Sequence, residues 1–337
     1  MSHPDQILGS LRLSIVQTIA KGGMGQVYRA IQHGVEGFGK TVALKTILEP
    51  YAADEEFVRM FIAEAKLVAD LVHQNIVQVY HLGRAEGILY MVMEYVDGVN
   101  LRQILDRHAA QGRRLPVELA AFFASRVCRG LEHAHAQTDA EGIPLGIVHR
   151  DVSPRNLLTT RFGEVKICDF GVAKARSLAM TDDDRRVLGK YAYLSPEQAR
   201  REPTDNRSDL FSLGLVLFEM LAGHRPFAAE VRSREAWLAH ARVRPVPPVA
   251  SVVPDVPPML ARIVDRAVAM EPTDRYADAG TMGYDLEYFM YHQGYGPTIV
   301  TLASHISKLF GGAPRGDAHP LDAVEPGRLA ETSTSSG

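Results

Sequence analysis

The chain has 337 residues, is 46% hydrophobic and 23% charged, and carries a formal net charge of −3. That profile fits a soluble globular protein of one large domain or two lobes, and it gives no reason to expect a nucleic-acid partner. The two cysteines, Cys128 and Cys168, stand far apart with no CxxC spacing, which argues against a disulfide scaffold or zinc site and suits a reducing cytoplasm. Met1 to Ser10 carries no basic-then-apolar leader pattern, and the longest apolar run, around Leu213 to Ala222, is too short to cross a bilayer, so no membrane anchor is expected. The pair His133 and His135 lacks a carboxylate-flanked metal motif and reads as packing or surface histidines.

In chain order, Leu11 to Ile19 and Gln26 to Gln32 predict two strands around a Gly-rich turn, and Thr41 to Ile47 a third. Phe57, Met60, Phe61, Leu67, Val68 and Leu71 recur at helical spacing and predict an amphipathic helix over about 54–71. Ile76 to Leu82 and Ile88 to Tyr95 read as further strands. After Asp97-Gly98 the pattern turns helical, most clearly over Leu101 to Ala110, Pro116 to Ala136, Ser208 to Ala222, Arg234 to Ala241 and Met259 to Ala269. A strand-rich first third and a helix-rich remainder imply two lobes joined near Glu94 to Gly98. Arg242 to Pro258 holds six prolines and excludes a continuous helix. Ile299, Leu302, Ile306, Leu309 and Phe310 form one apolar face of a helix over 297–311, read first as packed on the large lobe and second as a dock for a regulatory partner. The tail 312–337 is Gly-, Pro-, Ser- and Thr-rich and is expected to be disordered.

The chemistry concentrates in His149-Arg150-Asp151-Val152-Ser153-Pro154-Arg155-Asn156 and Asp169-Phe170-Gly171. Asp151 can accept or orient a hydroxyl proton, and Asn156 and Asp169 offer hard oxygen ligands suited to Mg²⁺. Upstream, Ile19-Ala20-Lys21-Gly22-Gly23-Met24-Gly25-Gln26-Val27 sets glycines between two strands, where backbone N–H groups can approach phosphate oxygens without Cβ clashes. Lys45 ends an apolar strand and needs an anionic partner, for which Glu64 is the candidate on the core side of the helix.

Together these motifs resemble the bacterial eukaryotic-like (Hanks-type) serine/threonine protein kinases. The resemblance covers about residues 11–292 and implies an α+β, two-lobed protein kinase fold: a small antiparallel β-sheet lobe with one major helix (11–96) and a large, mostly helical lobe (97–292). It implies ATP and Mg²⁺ as cofactors and protein substrates as partners. Asp151 becomes the catalytic base, Asn156 and Asp169 the metal ligands, and Lys45 with Glu64 the pair that positions phosphates. Ile19, Gly22, Gly25, Val27, Ala43, Lys45, Met93, Glu94, Val96 and Leu158 become the nucleotide site, with Met93 as gatekeeper and the backbone of Glu94 and Val96 gripping adenine. The resemblance further pairs Glu197 of Ser195-Pro196-Glu197 with Arg275, and has Asp209 accept hydrogen bonds from the catalytic-loop backbone.

Several positions depart from the pattern. Ala20 stands where the family places a glycine. Ser153 replaces the catalytic-loop lysine, whose charge supports phosphoryl transfer. Arg155, or Lys190 in Gly189-Lys190-Tyr191, is expected to restore that charge. Arg155 also matches the receptor-type tyrosine-kinase loop, and it argues against arginine-directed substrate choice although Glu219 remains. In the activation segment, Thr181 precedes Asp182-Asp183-Asp184, and a phosphate or this acidic run is expected to pair with Arg150. The leading functional expectation is an ATP-dependent serine/threonine kinase that also phosphorylates itself. A pseudokinase that binds nucleotide without efficient transfer and a small-molecule phosphotransferase are the alternatives, the latter disfavoured by Glu197, Asp209 and Arg275.

Overall fold

The computed structural model describes residues 6–8, 11–21, 25–47, 54–85, 88–170, 191–231 and 233–312. The first lobe is a six-stranded sheet in the order β1-β2-β3-β4-β6-β5, in which each pair of neighbours is antiparallel. Its strands are β1 (Gln6–Leu8), β2 (Leu11–Lys21), β3 (Gly25–His33), β4 (Gly39–Ile47), β5 (Val79–Ala85) and β6 (Ile88–Glu94). One helix, α1 (Glu55–Ala69), crosses it.

Strand periodicity explains how the sheet is buried on both faces. Ala43 and Ile47 of β4 and Leu89, Met91 and Met93 of β6 pack with Phe61 and Ala65 of α1. The alternate residues Val42, Leu44, Tyr90 and Val92 join Leu13 and Ala30 in a second cluster. Both central strands therefore read as continuous apolar runs. The expected strand from Ile76 starts only at Val79, because Ile76 forms a parallel bridge to Ile167 of the large lobe instead.

The large lobe opens with a small sheet, β7 (Gly98–Asn100), β8 (Leu157–Thr160) and β9 (Val165–Ile167), all antiparallel. Its helices are α2 (Leu101–Ala110), α3 (Val117–His135), α4 (Pro196–Arg200), α5 (Asn206–Ala222), α6 (Arg234–Val243), α7 (Val249–Val252), α8 (Pro258–Ala267), α9 (Ala279–Tyr291) and α10 (Ile299–Leu309). Every residue from Ser208 to Leu221 is buried, so α5 is the axis around which the lobe packs. In the proline-rich stretch only the single turn α7 forms.

Helix α9 is absent from the sequence reading because exposed Tyr284 and Tyr288 interrupt its apolar stripe of Ala279, Met282, Leu286 and Met290. It lies against α3, where Gly283 leaves room for Cys128: a Cβ on the glycine would sit 3.1 Å from that of the cysteine. Burial pushes the Cys128 thiol pKa up. Helix α10 belongs to the large lobe, with Leu302, Ile306 and Leu309 buried in its core, Phe310 packed against that core and Ile299 exposed. The expected tail beyond residue 312 lies outside the described residues. No helix of the described residues is long and apolar enough to cross a membrane.

Candidate active site

The catalytic loop hangs on one buried carboxylate. Asp209, at the start of α5, accepts the backbone N–H of His149 (2.7 Å) and of Arg150 (2.8 Å) on its two oxygens. His135 braces the same carboxylate at 2.9 Å. Arg150 has φ 64°, a left-handed conformation that costs a non-glycine residue roughly 1–3 kcal/mol. It is held there by Asp209 on its N–H and by the Gln198 amide on its carbonyl (2.9 Å). Asp151 follows, its N–H on the His149 ring at 3.1 Å, and the Asn156 amide donates to its carboxylate (2.6 Å) and carbonyl (2.9 Å). That amide holds the Asp151 side chain in one orientation, and it commits the NH₂ of Asn156 while leaving its carbonyl oxygen as a hard donor.

Asp169 is brought to the same place by the β8–β9 hairpin. Cys168 donates its N–H to the Asn156 carbonyl at 2.9 Å, so the two residues expected to offer metal ligands flank the hairpin's end. Asp169 has φ 56°, between the Cys168 carbonyl, which contacts the His149 ring at 3.1 Å, and Phe170, packed on that ring with centroids 4.6 Å apart. From the other lobe, Lys45 of β4 reaches across to Asp169 Oδ1 at 3.0 Å. The sequence points to Glu64 as the partner of Lys45. The backbone of Glu64 lies in α1 and its side chain is outside the described residues, while Asp169 is a partner that local sequence pattern does not reveal.

The residues expected to hold a purine converge. Val27, Ala43, Met93, Val96 and Leu158 belong to one apolar cluster fed by both lobes. Ile19 is half-buried on β2 and outside that cluster. Glu94 has its N–H on the Gln78 carbonyl (2.8 Å) and its carboxylate on Lys166 (2.9 Å). Gly25 has a packing reason of its own: a Cβ there would fall 2.6 Å from the Thr46 carbonyl on β4. Gly22 and Gly23 of the turn lie outside the described residues, as do Thr181, the acidic run and Lys190. Arg150, their expected partner, places its Nε 3.3 Å from the Thr204 hydroxyl. Arg155 is exposed beside the loop.

Below the loop, Arg275 grips Glu197 with two hydrogen bonds of 2.8 and 2.9 Å, and Ser208 adds a third at 2.6 Å. Burial alone would raise the Glu197 pKa; these donors outweigh it and hold the carboxyl at about 2. Three features of this region escaped sequence reasoning: His135 on Asp209, Lys166 on Glu94, and Arg102 on Glu219. Each joins residues 70 or more positions apart, and no local periodicity marks such contacts.

The model of the protein kinase domain matches residues 13–282. This chain belongs to the protein kinase family. Among its relatives, the tyrosine-protein kinase MasK of Myxococcus xanthus is 37% identical over 298 residues, which is 88% of this chain and 46% of the relative. Serine/threonine-protein kinase PrkC of Bacillus subtilis is 37% identical over 82% of this chain and 40% of its own length. PknL of Mycobacterium tuberculosis is 37% identical, covering 82% and 65%. The chain thus spans less than two thirds of these curated relatives. The crystal structure of the Mycobacterium tuberculosis PknI kinase domain superposes with a TM-score of 0.63 at 26% identity, covering 84% of this chain and 97% of that one. Kinases of this family use ATP with Mg²⁺.

Proposed function

We propose that this chain is a serine/threonine protein kinase that transfers the γ-phosphoryl group of ATP to protein hydroxyls, its own included. The observation that carries the reading is the Asp151 carboxylate, oriented by Asn156 and anchored through Asp209, together with a Lys45–Asp169 bridge between the lobes whose Asp169 follows the Cys168 N–H bound to Asn156.

Each residue then has a role. Asp151 receives the proton of the attacking hydroxyl. The apolar wall of Val27, Ala43, Met93, Val96 and Leu158, with Ile19 at its edge, sandwiches adenine, and Glu94 and Val96 present backbone groups to it. Gly22 and Gly25 let backbone N–H groups approach the phosphates, and Lys45, supported by Glu64, holds them. The donor set fits a hard cation: Asn156 keeps a carbonyl oxygen, and Asp169 brings a carboxylate already shared with a cationic lysine. These two would hold Mg²⁺, which neutralises charge on the transferring phosphoryl group when bound. Arg155 or Lys190 supplies the cation that Ser153 lacks, and Arg150 receives the charge of phosphorylated Thr181 or its acidic neighbours.

Incubating the purified protein with labelled ATP and Mg²⁺, beside Asp151→Asn, and then identifying the labelled residue tests this reading. Phosphoserine or phosphothreonine that disappears in the variant is the expected result. Nucleotide binding without label in the wild type would leave a pseudokinase. A second reading is transfer to tyrosine, favoured by Arg155 in the loop and by the name of the MasK relative, and phosphotyrosine in the same hydrolysate would establish it. For the missing lysine, Arg155→Ala or Lys190→Ala is expected to lower kcat at least about tenfold, roughly 1.4 kcal/mol.

Protein substrates follow from the family. A regulatory partner at α10 would have to use its outer face, where Val300 is 70% exposed, because the inner face is buried. The free cysteines Cys128 and Cys168 are in keeping with a cytoplasmic location.

A further inference from the structure

Glu219 of α5 is 2% exposed, and a buried carboxylate requires a neutralising partner. It has two. Arg102 Nη1 lies 2.7 Å from its Oε1, and the Tyr193 hydroxyl donates to its Oε2. Both partners come from elements around the reacting centre. Arg102 opens α2, and its own N–H donates to the carbonyl of Pro154 at 3.1 Å, inside the loop between Asp151 and Asn156. Tyr193 precedes the buried Ser195-Pro196-Glu197 turn, and its carbonyl accepts from Ser212 at 2.7 Å. The Glu219 carboxylate therefore sits under the surface between the catalytic loop and residues 191–195. A peptide presenting its hydroxyl to Asp151 must lie across that surface.

The Arg102 side chain is 22% exposed while that of Glu219 is 3% exposed, so the guanidinium separates the carboxylate from solvent. Its outward neighbour is Asp106, 2.9 Å from Arg102 Nε and itself mostly in water. Three further arginines stand on the neighbouring segments. Arg155 is exposed on the loop and makes no ion pair among the described residues. Arg234 stacks on Tyr191 at 5.0 Å, and Arg225 on Trp237 at 5.5 Å.

We propose that Arg102 fills, with the chain's own guanidinium, the acidic subsite that Glu219 would otherwise offer a substrate, so that the enzyme disfavours acceptors flanked by Arg or Lys and accepts neutral or acidic ones. Arg102 is a specificity residue: it touches neither the hydroxyl nor the phosphate and acts by cancelling Glu219. This inference rests on the protein kinase reading.

The test is kcat/KM for two peptides that share one acceptor hydroxyl and differ only in flanking residues, Arg in one and Glu in the other. The wild type is expected to favour the Glu peptide by at least about tenfold. Arg102→Ala uncovers the carboxylate and raises kcat/KM for the Arg peptide at least about fivefold, mainly through KM, because binding rather than chemistry changes. Glu219→Gln frees the Arg102 charge and moves the ratio the opposite way, and it decides the matter if Arg102→Ala does not fold. Equal use of both peptides by the wild type, or two variants that shift the ratio in the same direction, overturns the proposal. No label in any peptide or protein refutes the kinase reading itself, a failure distinct from loss of selectivity.

Discussion

Two ion pairs, Lys45–Asp169 in the cleft and Arg275–Glu197 in the platform below the catalytic loop, show how the same chemistry serves different ends. Arg275 and Glu197 are fully enclosed, with Arg275 side-chain exposure at 0%, and three donors on the carboxylate satisfy it permanently. Lys45 and Asp169 join the two lobes at 3.0 Å, with 35% of the Asp169 side chain exposed. A buried pair with every partner in place is costly to break and unable to respond. A partly exposed pair costs less to open, and under the proposed function that frees its charges for phosphate and metal. The surroundings follow the same division. The platform rests on the continuous core of the large lobe, whereas the cleft is lined by a smaller cluster to which both lobes contribute.

The largest expected effect lies in the cleft. Asp151→Asn should lower kcat about a thousandfold, the scale of a positioned general base, while the urea midpoint stays at the wild-type value. A matching loss of stability would mean that the cleft is built like the platform. Next, Arg275→Ala should lower unfolding free energy by about 4 kcal/mol in urea titrations, because it leaves Glu197 buried and uncompensated. A change below about 1 kcal/mol would erase the distinction.

Acid should separate the regions further. Glu197 has a folded pKa near 2 against an ordinary 4.5. Its contribution is complete above pH 4.5 and lost as pH falls towards 2, about 3 kcal/mol in all. His108 of α2, buried and 2.9 Å from His305 of α10, is held at about 4 by burial, His305 and Arg113. A histidine lowered in this way also stabilises above its ordinary 6.5 and loses that contribution as pH falls through 4. The contact between α2 and α10 should therefore weaken before the platform does. Proteolysis across pH 7 to 3 should cut near α10 first, and His108→Phe should delay that cut. The smallest effect is on stability in Lys45→Ala, under about 1 kcal/mol because the pair is partly solvated, although phosphoryl transfer falls about a hundredfold.

Much of this protein is written locally. The alternation in Val42-Ala43-Leu44 and Leu89 to Met93 and the helical spacing around Phe61 placed the small lobe, and the motifs at Asp151, Asn156 and Asp169 named residues that the structure brings together. Glu197 with Arg275 and Asp209 under the loop were expected from the family resemblance, and the structure pairs them as expected. Other features were not legible. Helix α9 carries tyrosines on its outer face, so its apolar stripe is broken in the sequence. Glu219 looked like an acid open to substrate arginine, and only the fold reveals that Arg102, 117 residues away, already occupies it.

By itself the sequence determined which residue types could carry out phosphoryl transfer, because the order of acid, amide and lysine and the periodicity of each element are properties of neighbours along the chain. The tertiary structure decided which of those charges stay available. A carboxylate's behaviour depends on burial and on the cation that packs against it, and both are set by segments distant in sequence, as Asp169 beside Lys45 and Glu219 beneath Arg102 demonstrate.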